Sequence, residues 1–335
     1  MSPSSTADNL DVVAVGNALV DVLSVTPEVF LDDHGLVKGS MALIDADQAA
    51  HLYEQMGPAT EISGGSAANT AVGIASLGGT SAFVGRVRDD LLGTVFAHDI
   101  RAAGVHFDTG PATDGHPTGR CLILVTPDAE RTLNTFLGAA AELHPDDLAP
   151  ELISRAAVTY LEGYLFDQPD AKDAFRAAAR TAHAAGQRVA LSLSDMFCVE
   201  RHRPDFLALV EHEVDILFAN DAEICALYRV ERLDDAIAAV ARDCDIAALT
   251  RGAEGSLVIG RGAVQEIDVH PVPGQIVDTT GAGDLYAAGF LYALTRGHDL
   301  AACGQVGALA ASEVISHLGA RPERSLAEMA ASQLV

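Results

Sequence analysis

With 335 residues, 49% of them hydrophobic and 20% charged, the chain has apolar material for a substantial core and lies outside the compositions of disordered proteins. Its 21 Lys and Arg stand against 47 Asp and Glu, and the net charge of −26 argues against nucleic acid or an anionic membrane as partner. The 5 cysteines are scattered with no Cys-x-x-Cys, and no apolar run reaches the roughly 18–20 residues that span a bilayer, so a reduced, cytoplasmic protein is predicted.

In chain order, Met1–Asn9 is polar and lacks the basic start and apolar centre of a signal peptide. Val12–Gly16 reads as a buried strand, and Asn17 and Asp21 follow where open α/β sheets place their ligands. Residues 22–47 mix short extended pieces with turn residues and show no long amphipathic helix. Gly64-Gly65 precedes a helix over Ser66–Leu77, whose small residues permit close backbone approach and whose first turn holds Asn69. A strand over Ser81–Val87 and a helix over Leu91–Ala103 follow, then a second irregular extended region with strands at Cys121–Thr126 and Thr132–Phe136.

From Ala139 the pattern turns regular. Strands at Ala157–Leu161, Arg188–Leu193, Val214–Ala219 and Ile246–Thr250 alternate with helices at Asp170–Ala185, Phe206–His212, Ala222–Tyr228 and Leu233–Cys244. Short connections between them predict a doubly wound, mostly parallel α/β sheet with right-handed crossovers. Asn220-Asp221-Ala222-Glu223 has the spacing of a helix cap with a capping acid, and Thr250 to Gly255 forms a tight glycine turn.

The remaining stretch, Val277 to Asp284, runs straight into the apolar segment Leu285–Leu294. Gly281, Ala282 and Gly283 sit where an extended segment becomes a helix, and small residues there leave backbone N–H groups exposed beside the positive end of a helix. Such a turn suits an anion. Asp284, just inside the helix start, is placed to take a proton from an alcohol, although capping alone also favours Asp there. No Gly-x-x-x-x-Gly-Lys-Ser/Thr is present, and Gly281-x-Gly283 lacks the third glycine of a dinucleotide fingerprint. The 12 histidines show no metal-ligand spacing, and no Gly-x-Ser-x-Gly occurs.

Asp278-Thr-Thr-Gly-Ala-Gly-Asp284 resembles the C-terminal signature of the ribokinase-like (PfkB-type) sugar and nucleoside kinases, and Gly64-Gly65-Ser66-Ala67-Ala68-Asn69 resembles their N-terminal signature. The likeness runs from about Asp11 to about Arg321. Within the family, Gly16–Asp21 and Arg131–Gly138 are most similar to bacterial adenosine kinases. The resemblance implies a large α/β unit (1–16, 48–104 and 139–335) with a discontinuous β lid (17–47 and 105–138), as monomer or homodimer.

It also implies ATP-dependent phosphorylation of the 5′-hydroxyl of a nucleoside such as adenosine. The alternatives are a fructose, ribose or keto-deoxy acid kinase of the same family, or a non-catalytic nucleoside sensor. By resemblance Asp284 is the base, and the amides of Gly281, Ala282 and Gly283 together with Arg131 stabilise the migrating group. Asn17, Asp21, Gly64, Gly65 and Asn69 bind the sugar, while Leu19, Met41, Phe136, Tyr164, Leu165 and Phe166 are candidates to clamp the base. ATP is expected at Asn220, Glu223, Thr250, Gly252, Gly255, Thr280, Gly281 and Gly283. Mg²⁺ is expected through water at Asn220 and Glu223, and K⁺ near Asp278 and Thr280.

Overall fold

Val12, Val13, Ala14 and Val15 are all shielded from solvent, as a strand covered by helices on both faces must be. Val12 and Ala14 pack into one core cluster and Val13 and Val15 into another, following the two-residue alternation of a strand. The computed structural model describes residues 9–128, 130–260 and 262–331, so the polar start at 1–8 lies outside the described residues.

The first half runs β1 (Leu10–Val15), β2 (Leu19–Val25), α1 (Glu28–Asp33), β3 (Met41–Leu43), α2 (Ala46–Gln55) and β4 (Thr60–Gly64). It continues with α3 (Ser66–Ser76), β5 (Ser81–Val84), α4 (Leu91–Ala102), β6 (Gly119–Val125) and β7 (Arg131–Phe136). The second half begins α5 (Pro150–Arg155), β8 (Ala156–Glu162), α6 (Pro169–Ala184), β9 (Arg188–Ser192), α7 (Met196–His212), β10 (Ile216–Asn220) and α8 (Asp221–Tyr228). It ends α9 (Leu233–Asp243), β11 (Ile246–Thr250), β12 (Ser256–Gly260), β13 (Ala263–Ile267), α10 (Ala282–Thr295), α11 (Leu300–Val314) and α12 (Leu326–Ala330).

Eight strands form one sheet in the order β13-β12-β11-β10-β9-β8-β1-β5. Pairing is parallel from β5 to β11, and β12 and β13 add an antiparallel edge. Residues of α3, α10 and α11 fill the core on one face, and those of α6, α7 and α8 on the other. The expected doubly wound α/β architecture is therefore present. No helix among the described residues is long and apolar enough to cross a membrane.

A second sheet has the order β3-β7-β6-β2-β4. Val20, Val22, Leu122 and Leu124 join the main core, while Cys121, Ile123 and Val125 form a separate cluster on the opposite face. This sheet takes β4 from the stretch 48–104 that the sequence reading gave to the large unit. The reason is local: β4 pairs antiparallel with β2, Val20 opposite Ser63 and Leu19 opposite Gly64, and the chain leaves the sheet only at Gly65.

Another departure is α7, which starts at Met196 rather than Phe206. Asp195 caps it through the Cys198 N–H (2.6 Å), and the non-helical His202 (φ −118°, ψ 20°) absorbs Pro204, which reads in sequence as a stop.

Candidate active site

Asn17 follows β1, and Glu162, Ser192, Asn220 and Thr250 are the last residues of β8, β9, β10 and β11. All five line one cavity of about 660 Å³. It lies at the carboxyl ends of the parallel strands, where such sheets bind ligands. The second sheet closes the opposite side with Leu19, Asp21, Met41, Cys121, Leu133 and Thr135.

The floor is the start of α10. Thr279 through Asp284 all face the cavity, and no side chain caps this helix. Gly281 sits at φ +77°, and a Cβ there would stand 2.6 Å from the Cβ of Ala320. At Gly283 a Cβ would meet nothing within 4 Å, so the backbone lies open to the cavity. An uncapped start on a 14-residue helix presents backbone donors and partial positive charge to an anion.

Beneath the turn, Asp278 Oδ1 accepts from the Thr280 N–H (3.0 Å) and hydroxyl (2.7 Å). Its Oδ2 accepts from the Gly319 N–H (3.0 Å) and pairs with Arg131 Nη1 (2.8 Å). A K⁺ at the expected place near Asp278 and Thr280 would share the Asp278 carboxylate with the Arg131 guanidinium. Arg131 is 8% exposed, and its Nε and Nη2 are buried without a partner. Two desolvated cationic donors beside an anion-binding turn are costly unless an acceptor arrives. They fit a phosphate.

Asp284 is half-buried. Its Oδ1 accepts from the Ser66 hydroxyl (2.6 Å) and its Oδ2 from the Asn69 amide (2.9 Å). Desolvation raises its pKa, opposed by these hydrogen bonds and by the charge of Arg321. Ser66, Asn69 and Thr70 share one face of α3, and the Thr70 hydroxyl donates to the Asp284 carbonyl (3.2 Å).

Burial likewise pushes Asp21 to about 6 against Arg321 and Arg131. A Cβ on Gly64 would fall 2.4 Å from the Asp21 carboxyl, so Gly64 backs Asp21 rather than facing the cavity. Glu162 is 1% exposed and raised to about 7 by burial. It accepts from the Asn17 side-chain amide (2.6 Å) and the Ala67 N–H (2.8 Å). The side-chain oxygens of Asn17 and Asn69 are buried and unpartnered, free to accept from ligand hydroxyls.

Asn220 and Glu223 form a reciprocal capping box. Glu223 Oε1 and Oε2 accept from the Asn220 amide (2.6 Å) and N–H (2.9 Å), and Asn220 Oδ1 accepts from the Glu223 N–H (2.8 Å). Among the described residues no three His, Cys, Asp or Glu side chains are grouped to hold a metal directly. A divalent cation therefore fits beside the Glu223 carboxylate only with most of its water shell, as Mg²⁺ prefers.

Other expected residues fall elsewhere. Phe136 points away from the cavity, toward His116, because alternation along β7 gives Leu133 and Thr135 the inner face. Leu165 and Phe166 are core residues, whereas Tyr164 lines the cavity. Gly252 and Gly255 shape the turn between β11 and β12 without lining it; a Cβ on Gly255 would fall 2.1 Å from the Ile267 carbonyl oxygen. Sequence reasoning missed Ser66, Leu137, Glu162 and Arg321. Only Ser66 left a signal, three residues before Asn69 and so on the same helical face.

Comparison with known proteins gives a concordant result. The pattern described as pfkB family carbohydrate kinase matches residues 39–325. The adenosine kinase of Sinorhizobium meliloti is 51% identical, with a TM-score of 0.89 over 97% of this chain and 99% of that one. A probable sugar kinase of Rhizobium etli is 47% identical, with a TM-score of 0.90 over 98% and 99%. Adenosine kinase 1 of Arabidopsis thaliana is 29% identical over 92% of this chain and 94% of its own.

Proposed function

The chain belongs to the pfkB family of carbohydrate kinases, phosphotransferases with an alcohol acceptor, and from that premise we propose that it phosphorylates the 5′-hydroxyl of adenosine with ATP. The observation that carries the chemistry is one juxtaposition: Asp284 and the uncapped start of α10 share a cavity with the unpaired donors of Arg131. The ribose lies against Asn17, Asp21 and Asn69, whose acceptors suit its hydroxyls. The base lies between Tyr164 and the apolar side chains of Leu19, Met41, Leu133 and Leu137, which suit a purine better than a free sugar. The 51% identity to an adenosine kinase supports the same choice.

In the reaction Asp284 takes the 5′-hydroxyl proton as that oxygen bonds to the γ-phosphorus and the bond to ADP breaks. A raised pKa makes Asp284 a stronger acceptor than an exposed carboxylate. General-base catalysis usually supplies about 10²–10⁴-fold, so positioning and electrostatics carry the rest. Arg131 and the Gly281–Gly283 amides hold the charge spread over the transferred group. Mg²⁺, when bound, neutralises phosphate charge; Glu223 and Asn220 orient its water shell.

The test is an ADP-release panel over adenosine, inosine, guanosine, ribose and fructose. Adenosine is expected to lead in kcat/KM by about tenfold or more. A sugar in first place would replace adenosine while keeping the phosphotransferase.

A further inference from the structure

Between α11 and α12 the chain passes through Gly319-Ala320-Arg321, and these three residues together reach two walls of the cleft. The Gly319 N–H donates to Asp278, and Ala320 fills the space beside Gly281. Arg321 turns the other way. Its Nε donates to the Ser63 carbonyl (3.1 Å), Nη2 to the same carbonyl and the Ser63 hydroxyl (3.0 Å), and Nη1 to the Ala68 carbonyl (3.0 Å). Ser63 belongs to β4 and Ala68 to the first turn of α3. One planar fork thus grips both sides of the Gly64-Gly65 turn. Ser63 is also paired with Val20, next to Asp21, and Asp99 of α4 takes its N–H (2.8 Å) and hydroxyl (2.6 Å).

We propose that Arg321 is a positioning residue for phosphoryl transfer: it clamps the backbone around Gly64-Gly65 to the segment that seats the Asp278–Gly281 turn, and so holds Asp21, Ser66 and Asn69 in register with Asp284. The proposal rests on the kinase reading above. Its geometry is specific to arginine, because a lysine has no fork to reach two carbonyls on opposite sides of a turn.

The charge of Arg321 acts as well. Burial lowers its pKa to about 10, which leaves it protonated near neutrality. Its guanidinium opposes the upward shift of both Asp21 and Asp284. Asp284 also faces Ser66 and Asn69 of α3 and Asp21 of β2, and on the β8 side Tyr160, Glu162 and Tyr164. Asp21 further faces Arg131 and Cys121. Arg321 is the cation acting on both carboxylates.

Two variants separate clamp from charge, each assayed with the alcohol that the wild type phosphorylates best. Arg321→Lys keeps the charge and loses the fork; it should lower kcat by about tenfold or more while the acid limb of kcat/KM stays in place. Arg321→Met loses both, so kcat should fall at least as far and the acid limb move to higher pH, since removing a nearby positive charge raises a carboxylate pKa. Amide hydrogen exchange across residues 63–69 needs no substrate and should quicken in both. Wild-type kcat and an unmoved acid limb would overturn the proposal even if the melting temperature drops, and so would unchanged exchange with reduced activity. Should Arg321→Met fail to fold, Arg321→Lys decides through kcat and exchange. If the wild type phosphorylates no alcohol in the panel, the kinase reading fails, and the exchange data still decide the clamp.

Discussion

As the proposed base, Asp284 must satisfy two demands that pull apart, since a base needs enough desolvation to want a proton and enough support to stay ionised. Burial supplies the first, and the Ser66 hydroxyl and Asn69 amide supply the second. Asp284→Asn keeps the size and loses the base. Its kcat is expected to fall by about 10²-fold or more with KM little changed, and near-normal turnover would remove Asp284 from the assigned role. Because the folded pKa lies above the ordinary value of 3.8, the acid limb of kcat/KM should sit above the usual carboxylate range. Arg131 belongs to the same scale. Arg131→Lys retains one ion pair with Asp278 but forfeits the fork, so kcat should drop by roughly tenfold or more at little cost in melting temperature. An unchanged kcat would make Arg131 purely structural.

Elements, rather than single residues, decide which groups reach the cavity. The α10 start works because Gly281 takes a left-handed conformation that lets Ala320 pack against it. Gly281→Ala adds a Cβ at positive φ and forces it on Ala320, which should cost about 1–3 kcal/mol and lower kcat with it. A thermal melt matching the wild type would show that the turn has slack. Alternation on β7 explains why Thr135 rather than Phe136 borders the cavity, and the 3₁₀ turn after β8 presents Tyr164 while burying Leu165. The Asn220–Glu223 box shows one motif serving two ends, since it caps α8 and leaves a carboxylate at the cavity wall.

At the scale of the molecule, a kinase of net charge −26 has to bind an anionic phosphoryl donor, and the proposed site offers it local donors rather than a positive surface. The cost appears in buried carboxylates. Glu162 rises from 4.5 to about 7 on burial, so the folded state holds a proton that the unfolded chain releases. Stability should therefore fall as pH climbs from 4.5 through about 7 on account of this group, and level off above it. In Glu162→Gln the fall should be smaller, as read from melting temperatures across that range. A wild-type-minus-variant difference independent of pH would place the titration elsewhere.

The sequence by itself determined the sheet class, the two glycine signatures and Asp284, because strand periodicity and small-residue turns are local properties of the backbone. It also held Asn69 and Arg131, but not their partners. Only the tertiary structure brought Ser66 to Asp284 and Arg131 to Asp278, put β4 in the second sheet, turned the buried Phe136 away from the cavity, and carried Arg321 back to Ser63 across 258 positions of chain. Contacts between residues so far apart depend on how sheets and helices stack, and no local pattern of side chains encodes that stacking.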